Sequence, residues 1–322
     1  MGEKVLMKGN EAIAEAAIRA GCRLYFGYPI TPQTEIAHYM AKKMPLIGGT
    51  FLQAESEVAA INMVYGSAAT GARVMTSSSS PGISLKQEGI SYIAGAELPA
   101  VIVNIVRCGP GLGGILPAQC DYFQAVKGGG HGDYKMVVLS PSSVQELYEL
   151  TVEAFNIADR YRILTMIMGD GILGQMMEPV EFRDEERIEK PKKDWAVTGT
   201  NLERDHNVIT SIYIEPEVLE QLNLKLQKKY EEIRKNEVRY QAVNCEDAQI
   251  IVAAHGTVSR IIQNVIKMAG QEGIKVGLIR PVTLWPFPEE PFIKYAETAE
   301  AFLTVELSAG QMVEDVRLAV NG

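Results

Sequence analysis

Two carboxylates stand two residues apart in Gln53-Ala54-Glu55-Ser56-Glu57-Val58-Ala59-Ala60, where a helix of small apolar residues is predicted to begin. Acidic side chains at a helix N-terminus can simply offset the macrodipole, and both glutamates can be read that way. Glu57, however, adjoins Val58, Ala59, Ala60 and Ile61. A carboxyl drawn in among such residues has its proton affinity raised and can hold or share a proton near neutrality. A second candidate is Thr31 in Gly27-Tyr28-Pro29-Ile30-Thr31-Pro32, whose prolines fix the backbone. Its hydroxyl is either aimed at a ligand or part of an ordinary proline-rich turn. The third is Arg107, which follows the apolar run Val101–Val106 and precedes Cys108-Gly109-Pro110-Gly111-Leu112-Gly113-Gly114. At the end of a buried strand its guanidinium offers a forked donor to a carboxylate, or else it is exposed or paired within the chain.

Other chemical-looking segments carry less. Gly109–Gly114 reads G-x-G-x-x-G after a strand, but a dinucleotide fingerprint must open a helix, and Pro110 and Pro117 bracket this loop. Gly169-Asp170-Gly171 has the GDG of the magnesium–diphosphate motif of thiamine enzymes. That motif needs a later asparagine pair, and Asp184–Thr200 contains no asparagine. Asp170 is therefore expected to be a loop residue and not a metal ligand. His131 lies in Gly128-Gly129-Gly130-His131-Gly132-Asp133, where glycines permit close backbone approach to a ligand, though a surface loop histidine reads the same. His38, His206 and His255 carry no signal. Cys22, Cys108, Cys120 and Cys245 are scattered with no CxxC pair, so no cluster or zinc site is expected from them.

The elements that must position these groups alternate. Asn10 is the expected N-cap of a helix ending near Gly21, followed by strand Leu24–Gly27, helix Thr34–Lys43, helix Ser56–Thr70, strand Arg73–Thr76, helix Ile83–Ile93 and strand Val101–Val106. Strand Met136–Leu139, helix 142–158 and strand Ile163–Met168 continue the pattern. A second run has strands Ile250–Ala254, Val276–Leu278 and Ala301–Val305 with helices 257–269, 289–296 and 310–320. Strand–helix alternation predicts parallel sheets covered on both faces, with ligands outside the carboxyl ends of the strands. The expected division is residues 1–180, a linker at 181–247, and 248–322. Within the linker, Arg183–Lys193 is charged without clear periodicity. After Pro216, Leu219, Leu222, Leu226, Tyr230 and Ile233 recur at spacings of 3, 4, 4 and 3, giving one apolar stripe to lie on this chain or on another subunit.

Bulk properties set the outer limits. The 322 residues, 47% apolar and 22% charged, fit two soluble globular domains. A net charge of −9 argues against a nucleic-acid footprint. Glu11, Glu15 and Arg19 interrupt any apolar signal core, Leu6 breaks a myristoylation motif, and no apolar run is long enough for a membrane span. The expected location is the cytoplasm.

Taken together, the loops resemble the alpha-type subunit of 2-oxoacid:ferredoxin oxidoreductases. The resemblance rests on Tyr28-Pro29-Ile30-Thr31-Pro32, Glu55-Ser56-Glu57, Thr76–Gly82 (TSSSSPG), Ser84-Leu85, Glu97-Leu98-Pro99 and Arg107-Cys108-Gly109-Pro110-Gly111, in that order. The wording QAESEVAAINM, TSSSSPGISLKQEGISYIAGAELP and GPGLGG…KGGGHGDY is most similar to the 2-ketoisovalerate branch. It implies a parallel-sheet α/β domain that binds the pyrimidine half of thiamine diphosphate, then a smaller domain like the C-terminal one of transketolases. It further implies that magnesium, the diphosphate and a [4Fe–4S] cluster sit on a beta-type partner. Gamma-type and small ferredoxin-like subunits complete the complex, coenzyme A is the co-substrate and ferredoxin the acceptor. Carried over, Glu57 meets the pyrimidine ring, Thr31 and Arg107 meet the 2-oxo acid, and Pro29, Ile30, Ser80, Pro81 and Gly82 lie near the cofactor. The family continues past the equivalent of Gly322 with a short tail, so a shortened C-terminus is expected. Two other readings are the beta subunit of a lipoamide-linked 2-oxoacid dehydrogenase, whose loops do not read YPITP or SSSPG, and a non-catalytic scaffold subunit.

Overall fold

The computed structural model describes residues 4–182, 188–189 and 191–321. Part of the charged stretch Arg183–Lys193, and of the asparagine-free stretch Asp184–Thr200, therefore lies outside the described residues. In chain order the elements are β1 (Lys4–Lys8), α1 (Gly9–Arg19), β2 (Leu24–Gly27), α2 (Thr34–Lys43), β3 (Thr50–Gln53), α3 (Glu57–Ala69), β4 (Val74–Ser78), α4 (Pro81–Gly95) and β5 (Ala100–Val106). Next come α5 (Tyr122–Val126), β6 (Val137–Leu139), α6 (Val144–Tyr161), β7 (Leu164–Asp170), α7 (Gly171–Gln175) and β8 (Met177–Glu181). The remainder holds α8 (Pro216–Asn236), β9 (Tyr240–Val243), β10 (Ile250–Ala253), α9 (Gly256–Gln271), β11 (Val276–Pro281), β12 (Thr283–Trp285), α10 (Glu289–Ala296), β13 (Ala301–Thr304) and α11 (Met312–Val320).

The main sheet has the order β12-β6-β7-β5-β4-β2-β3, parallel except for β12, which runs antiparallel to β6. Strands β5 and β7 are buried along their whole length, as near-continuous apolar runs in a two-sided parallel sheet must be. Four neighbours, β5-β4-β2-β3, release the loops after Val106, Ser78, Gly27 and Gln53 side by side at one sheet edge. That edge is where ligands bind in open α/β sheets. A second sheet, β13-β10-β11-β9, is parallel except for β9, and β1 pairs with β8 in a two-stranded antiparallel ribbon.

Two expectations change. Asn10 is not a cap: α1 starts at Gly9 after Lys8, and Asn10 is fully buried, its Nδ2 donating to Pro32 O at 2.8 Å and to Glu35 Oε2 at 2.8 Å. Asp170 is not a loop residue either; it ends β7 and caps α7, its Oδ1 accepting from Ile172 N at 2.9 Å and Leu173 N at 3.1 Å. The apolar stripe of α8 lies on its own chain over its second half. Leu226, Tyr230 and Ile233 are buried, Tyr230 meeting Trp285 edge-on at 5.8 Å, while Leu219 is exposed.

The two sheets are clamped by Gln119, which donates through Nε2 to His255 O at 3.0 Å, accepts from Leu307 N at 3.0 Å and donates its own N–H to Leu307 O at 2.7 Å. His255 is buried beside this clamp, with Nδ1 2.9 Å from Ser140 Oγ and Nε2 without a partner among the described residues. Burial pushes its imidazole down from the ordinary 6.5 to about 4; Glu306 opposes the shift and Arg280 adds to it. The unfolded chain takes up this proton near 6.5 and the native chain only near 4, so the stability at stake is complete above 6.5 and is lost as pH falls toward 4. The full difference is on the order of 3 kcal/mol. Thermal unfolding should therefore move to lower temperature across that window, and His255→Gln should flatten the fall. An unchanged pH slope in the variant would discharge His255 from the role.

Candidate active site

Glu57 opens α3, whose N-cap Ser56 accepts from Ala59 N at 3.2 Å. The alternation of the loop sends its two carboxylates to different places: Glu55 is exposed, whereas Glu57 is only 6% exposed. Dipole compensation therefore suffices for Glu55 but does not account for Glu57. The Glu57 carboxylate lies against Gly82 of α4, where an added Cβ would sit 2.6 Å from Oε1. Among the described residues nothing donates a hydrogen bond to that carboxylate.

The turn from β4 to α4 forms the neighbouring wall. Thr76, Ser77, Ser78 and Ser79 are all buried, yet the hydroxyls of Thr76, Ser78 and Ser79 have no partner among the described residues. Buried unpaired hydroxyls are costly and ask for an explanation. Ser77 by contrast is fully engaged, 2.6 Å from Tyr25 OH and 2.5 Å from Gln33 Oε1. Ser80 holds a left-handed φ of 22°, a strained value for a residue with a side chain. The strain is held from three sides: Ser80 N donates to Asn104 Oδ1 at 3.2 Å, Ser80 Oγ to Arg107 O at 3.0 Å, and Arg107 N to Ser80 Oγ at 3.0 Å. Asn104 in turn donates to Asp121 Oδ2 at 2.9 Å. A single asparagine inside the apolar run AVIVNIV is the one sequence signal for this support.

Arg107 is also buried, at 6% exposure, but its guanidinium is turned onto main chain. Nη1 donates to Thr31 O at 3.0 Å and Nη2 to Leu112 O at 2.9 Å, while Nε has no partner among the described residues. The arginine thus ties the Pro29–Pro32 turn to the glycine loop. Thr31 itself is exposed on that turn, as is Pro29, and Ile30 is half-buried. Beneath the turn, Pro32 O accepts from Asn10 and from Gln175 Nε2 at 3.3 Å. The glycine loop closes on itself, Gly114 N donating to Cys108 O at 2.9 Å, and the next helix starts only at Tyr122. A cavity of about 420 Å³ separates Ser80, Pro81 and Ser84 from Cys108, Gly109 and Gly111. The structure therefore brings Glu57, Gly82, Ser78 and Ser80 into one cluster and Arg107 with Thr31 into a second, joined through the Ser80–Arg107 bonds. His131 is apart from both, exposed, with its ring edge-on to Tyr92 at 5.9 Å.

Residues 15–242 match the family described as "Pyruvate flavodoxin/ferredoxin oxidoreductase, thiamine diP-bdg", and residues 248–322 match "Pyruvate:ferredoxin oxidoreductase core domain II". The chain is 54% identical over 314 residues to the ketoisovalerate oxidoreductase subunit VorB of Methanothermobacter thermautotrophicus, covering 98% of this chain and 89% of that one. It is 38% identical over 349 residues to the 2-oxoglutarate synthase subunit KorA of the same organism, covering 100% and 92%. Among solved structures, a 2-oxoglutarate:ferredoxin oxidoreductase from Magnetococcus marinus, with 2-oxoglutarate, coenzyme A and succinyl-CoA bound, superposes with a TM-score of 0.88 at 26% identity. The match covers 99% of this chain but only 60% of that one.

Proposed function

The chain belongs to the pyruvate flavodoxin/ferredoxin oxidoreductase family, and from that premise we propose that it is the pyrimidine-binding subunit of a 2-ketoisovalerate:ferredoxin oxidoreductase. The complex would oxidatively decarboxylate a branched-chain 2-oxo acid with coenzyme A to acyl-CoA, carbon dioxide and reduced ferredoxin. The 54% identity to a ketoisovalerate oxidoreductase subunit, against 38% to a 2-oxoglutarate synthase subunit, favours the branched substrate. The carrying observation is the sheltered Glu57 carboxylate beside Gly82 and the unpaired serine hydroxyls.

These residues fit the aminopyrimidine of thiamine diphosphate. A carboxylate on a buried residue with no internal donor suits a ring nitrogen that can carry a proton, Gly82 lets that carboxylate lie close against α4, and the Ser78 and Ser79 hydroxyls have no partner among the described residues. Bound thiamine diphosphate would supply a carbon able to take up the electron pair released as carbon dioxide leaves. Glu57 would hold the ring and share the proton at its nitrogen. Ser80, Pro81 and Gly82 would present backbone to it, with Pro29 and Ile30 on the opposite turn. Arg107 and Thr31 would orient the substrate's 2-oxo acid head, Arg107 through the donors it does not spend on Thr31 O and Leu112 O. A beta-type partner would hold the diphosphate, Mg²⁺ and a [4Fe–4S] cluster, with gamma-type and small ferredoxin-like subunits completing the assembly. Asp170, the aspartate of the GDG tripeptide, is committed to the α7 cap. No helix among the described residues is long and apolar enough to cross a membrane. The reading locates the complex in the cytoplasm.

The test is to purify the chain with its co-expressed partners and offer a panel of 2-oxo acids with coenzyme A and a viologen dye. Fastest dye reduction with 2-ketoisovalerate is expected. Preference for 2-oxoglutarate would overturn the branch, and no coenzyme A-dependent dye reduction with any 2-oxo acid would overturn the function. Arg107→Met should raise the KM for 2-oxo acids about 10- to 100-fold, the value of one or two charge-assisted hydrogen bonds. An unchanged KM would take Arg107 out of the substrate site.

A further inference from the structure

Helix α4 turns three positions toward α3: Gly82, Lys86 and Gly89, spaced by four and three residues and so on one face. A Cβ on Gly82 would lie 2.6 Å from Glu57 Oε1, and one on Gly89 would lie 2.5 Å from Ile61 Cγ2. The two glycines let the helices close, and between them the Lys86 ammonium donates to the Glu57 main-chain carbonyl at 3.5 Å. Lys86 is 0% exposed.

A lysine has no ordinary reason to be there. A buried ammonium is costly unless paired, and this one meets the first turn of α3, whose dipole disfavours a cation. One long bond to a neutral carbonyl uses a single donor of three. Among the described residues the charged group acting on it is Glu57, the residue whose carbonyl it touches. Glu55 at the entry to α3 and Glu88 on α4 are both exposed, and the neighbouring Gln87 is neutral. Burial lowers the Lys86 ammonium to about 8, and the Glu57 charge works against that fall.

The geometry points to Lys86 as a positioning residue that keeps the Glu57 carboxyl ionised, so that the shared proton rests on the ring nitrogen of the bound cofactor. The inference rests on the assignment of Glu57 proposed above. An ammonium held against the same residue favours the charged form of a carboxyl, the form that can receive a proton. Lys86 acts wholly through Glu57 and needs no contact with substrate.

The experiment compares Lys86→Met, Lys86→Gln and Lys86→Arg in the assembled, cofactor-loaded complex, with Glu57→Gln beside them. For Lys86→Met, an unchanged or raised unfolding temperature is expected, since an apolar side chain of similar length replaces a buried charge. Its kcat should fall at least about tenfold with little change in KM, and the acid limb of the pH profile should move to higher pH. The alkaline limb expected near 8 in the unaltered complex should disappear. Lys86→Gln, which keeps a donor for the Glu57 carbonyl but no charge, should behave like Lys86→Met, whereas Lys86→Arg should restore most of the activity. Isotope-edited infrared spectroscopy of the substrate-free complex gives a readout apart from turnover: a glutamic acid carbonyl band absent from the unaltered complex should appear in the Met and Gln variants and be lost when Glu57→Gln is added to either of them. If Lys86→Gln keeps the original pH profile and no such band appears, while Glu57→Gln is inactive, the lysine inference fails and the Glu57 assignment stands. If Glu57→Gln stays active, the assignment itself fails.

Discussion

Glu57→Gln in the assembled complex should lower 2-oxo acid decarboxylation by about two to four orders of magnitude, the range in which a positioned acid–base group contributes. Glutamine has nearly the same volume and still fits between α3 and Gly82, so the fold and the unfolding temperature should be little changed. What it cannot do is ionise and exchange a proton. The loss should therefore appear in kcat, with the KM for the 2-oxo acid close to its original value, because an interaction needed for turnover has been removed and not one of uniform binding. The check is dye reduction at saturating substrate and coenzyme A, together with the affinity for thiamine diphosphate. A variant with near-normal turnover would end the catalytic assignment of this side chain.

Gly82→Ala should disable the site through a single methyl group. The added carbon would fall 2.1 Å from Ser78 Oγ, 2.6 Å from Glu57 Oε1 and 3.1 Å from Glu57 Cγ. Both neighbours are buried, so neither can swing freely into solvent, and the carboxyl must leave its place. A loss of roughly 100-fold in turnover is expected, since displacements of about an ångström at reacting groups have costs of that size. The cost in stability should be smaller, about 1–3 kcal/mol, as for other insertions into packed interiors. Activity and thermal unfolding measured on the same preparation separate the two effects. If turnover falls no further than the loss of folded protein explains, the alanine is tolerated and the close approach of Glu57 to α4 is not needed.

What could be read beforehand followed local rules. Apolar runs such as Val101–Val106 and Ile163–Met168 announced a parallel sheet, and helices Thr34–Lys43 and 289–296 fall where proline and charge patterns put them. The loops holding Glu57, Thr31 and Arg107 do leave one sheet edge. Failures came where a residue's partner is remote in sequence. Asn10 reads as a cap from its neighbours, but its bonds go to Pro32 and Glu35. A lysine in an ordinary helix reads as solvated, and only the packing of α4 on α3 shows Lys86 trapped beside Glu57, 29 residues earlier. His255 carried no signal because its burial depends on Gln119 and Ser140 from the other sheet. Strand β12, three residues long and followed by Pro286, is recognisable only through its pairing with β6. Arg107 was placed rightly at a strand end, but its donation to two carbonyls depends on how the glycine loop folds back.

The same short strand has a further consequence. Because β12 closes the β6 side of the larger sheet, a chain cut before it would present the outer backbone groups of β6 as an open template for another polypeptide. Separately expressed N-terminal halves would then be prone to self-association by strand addition.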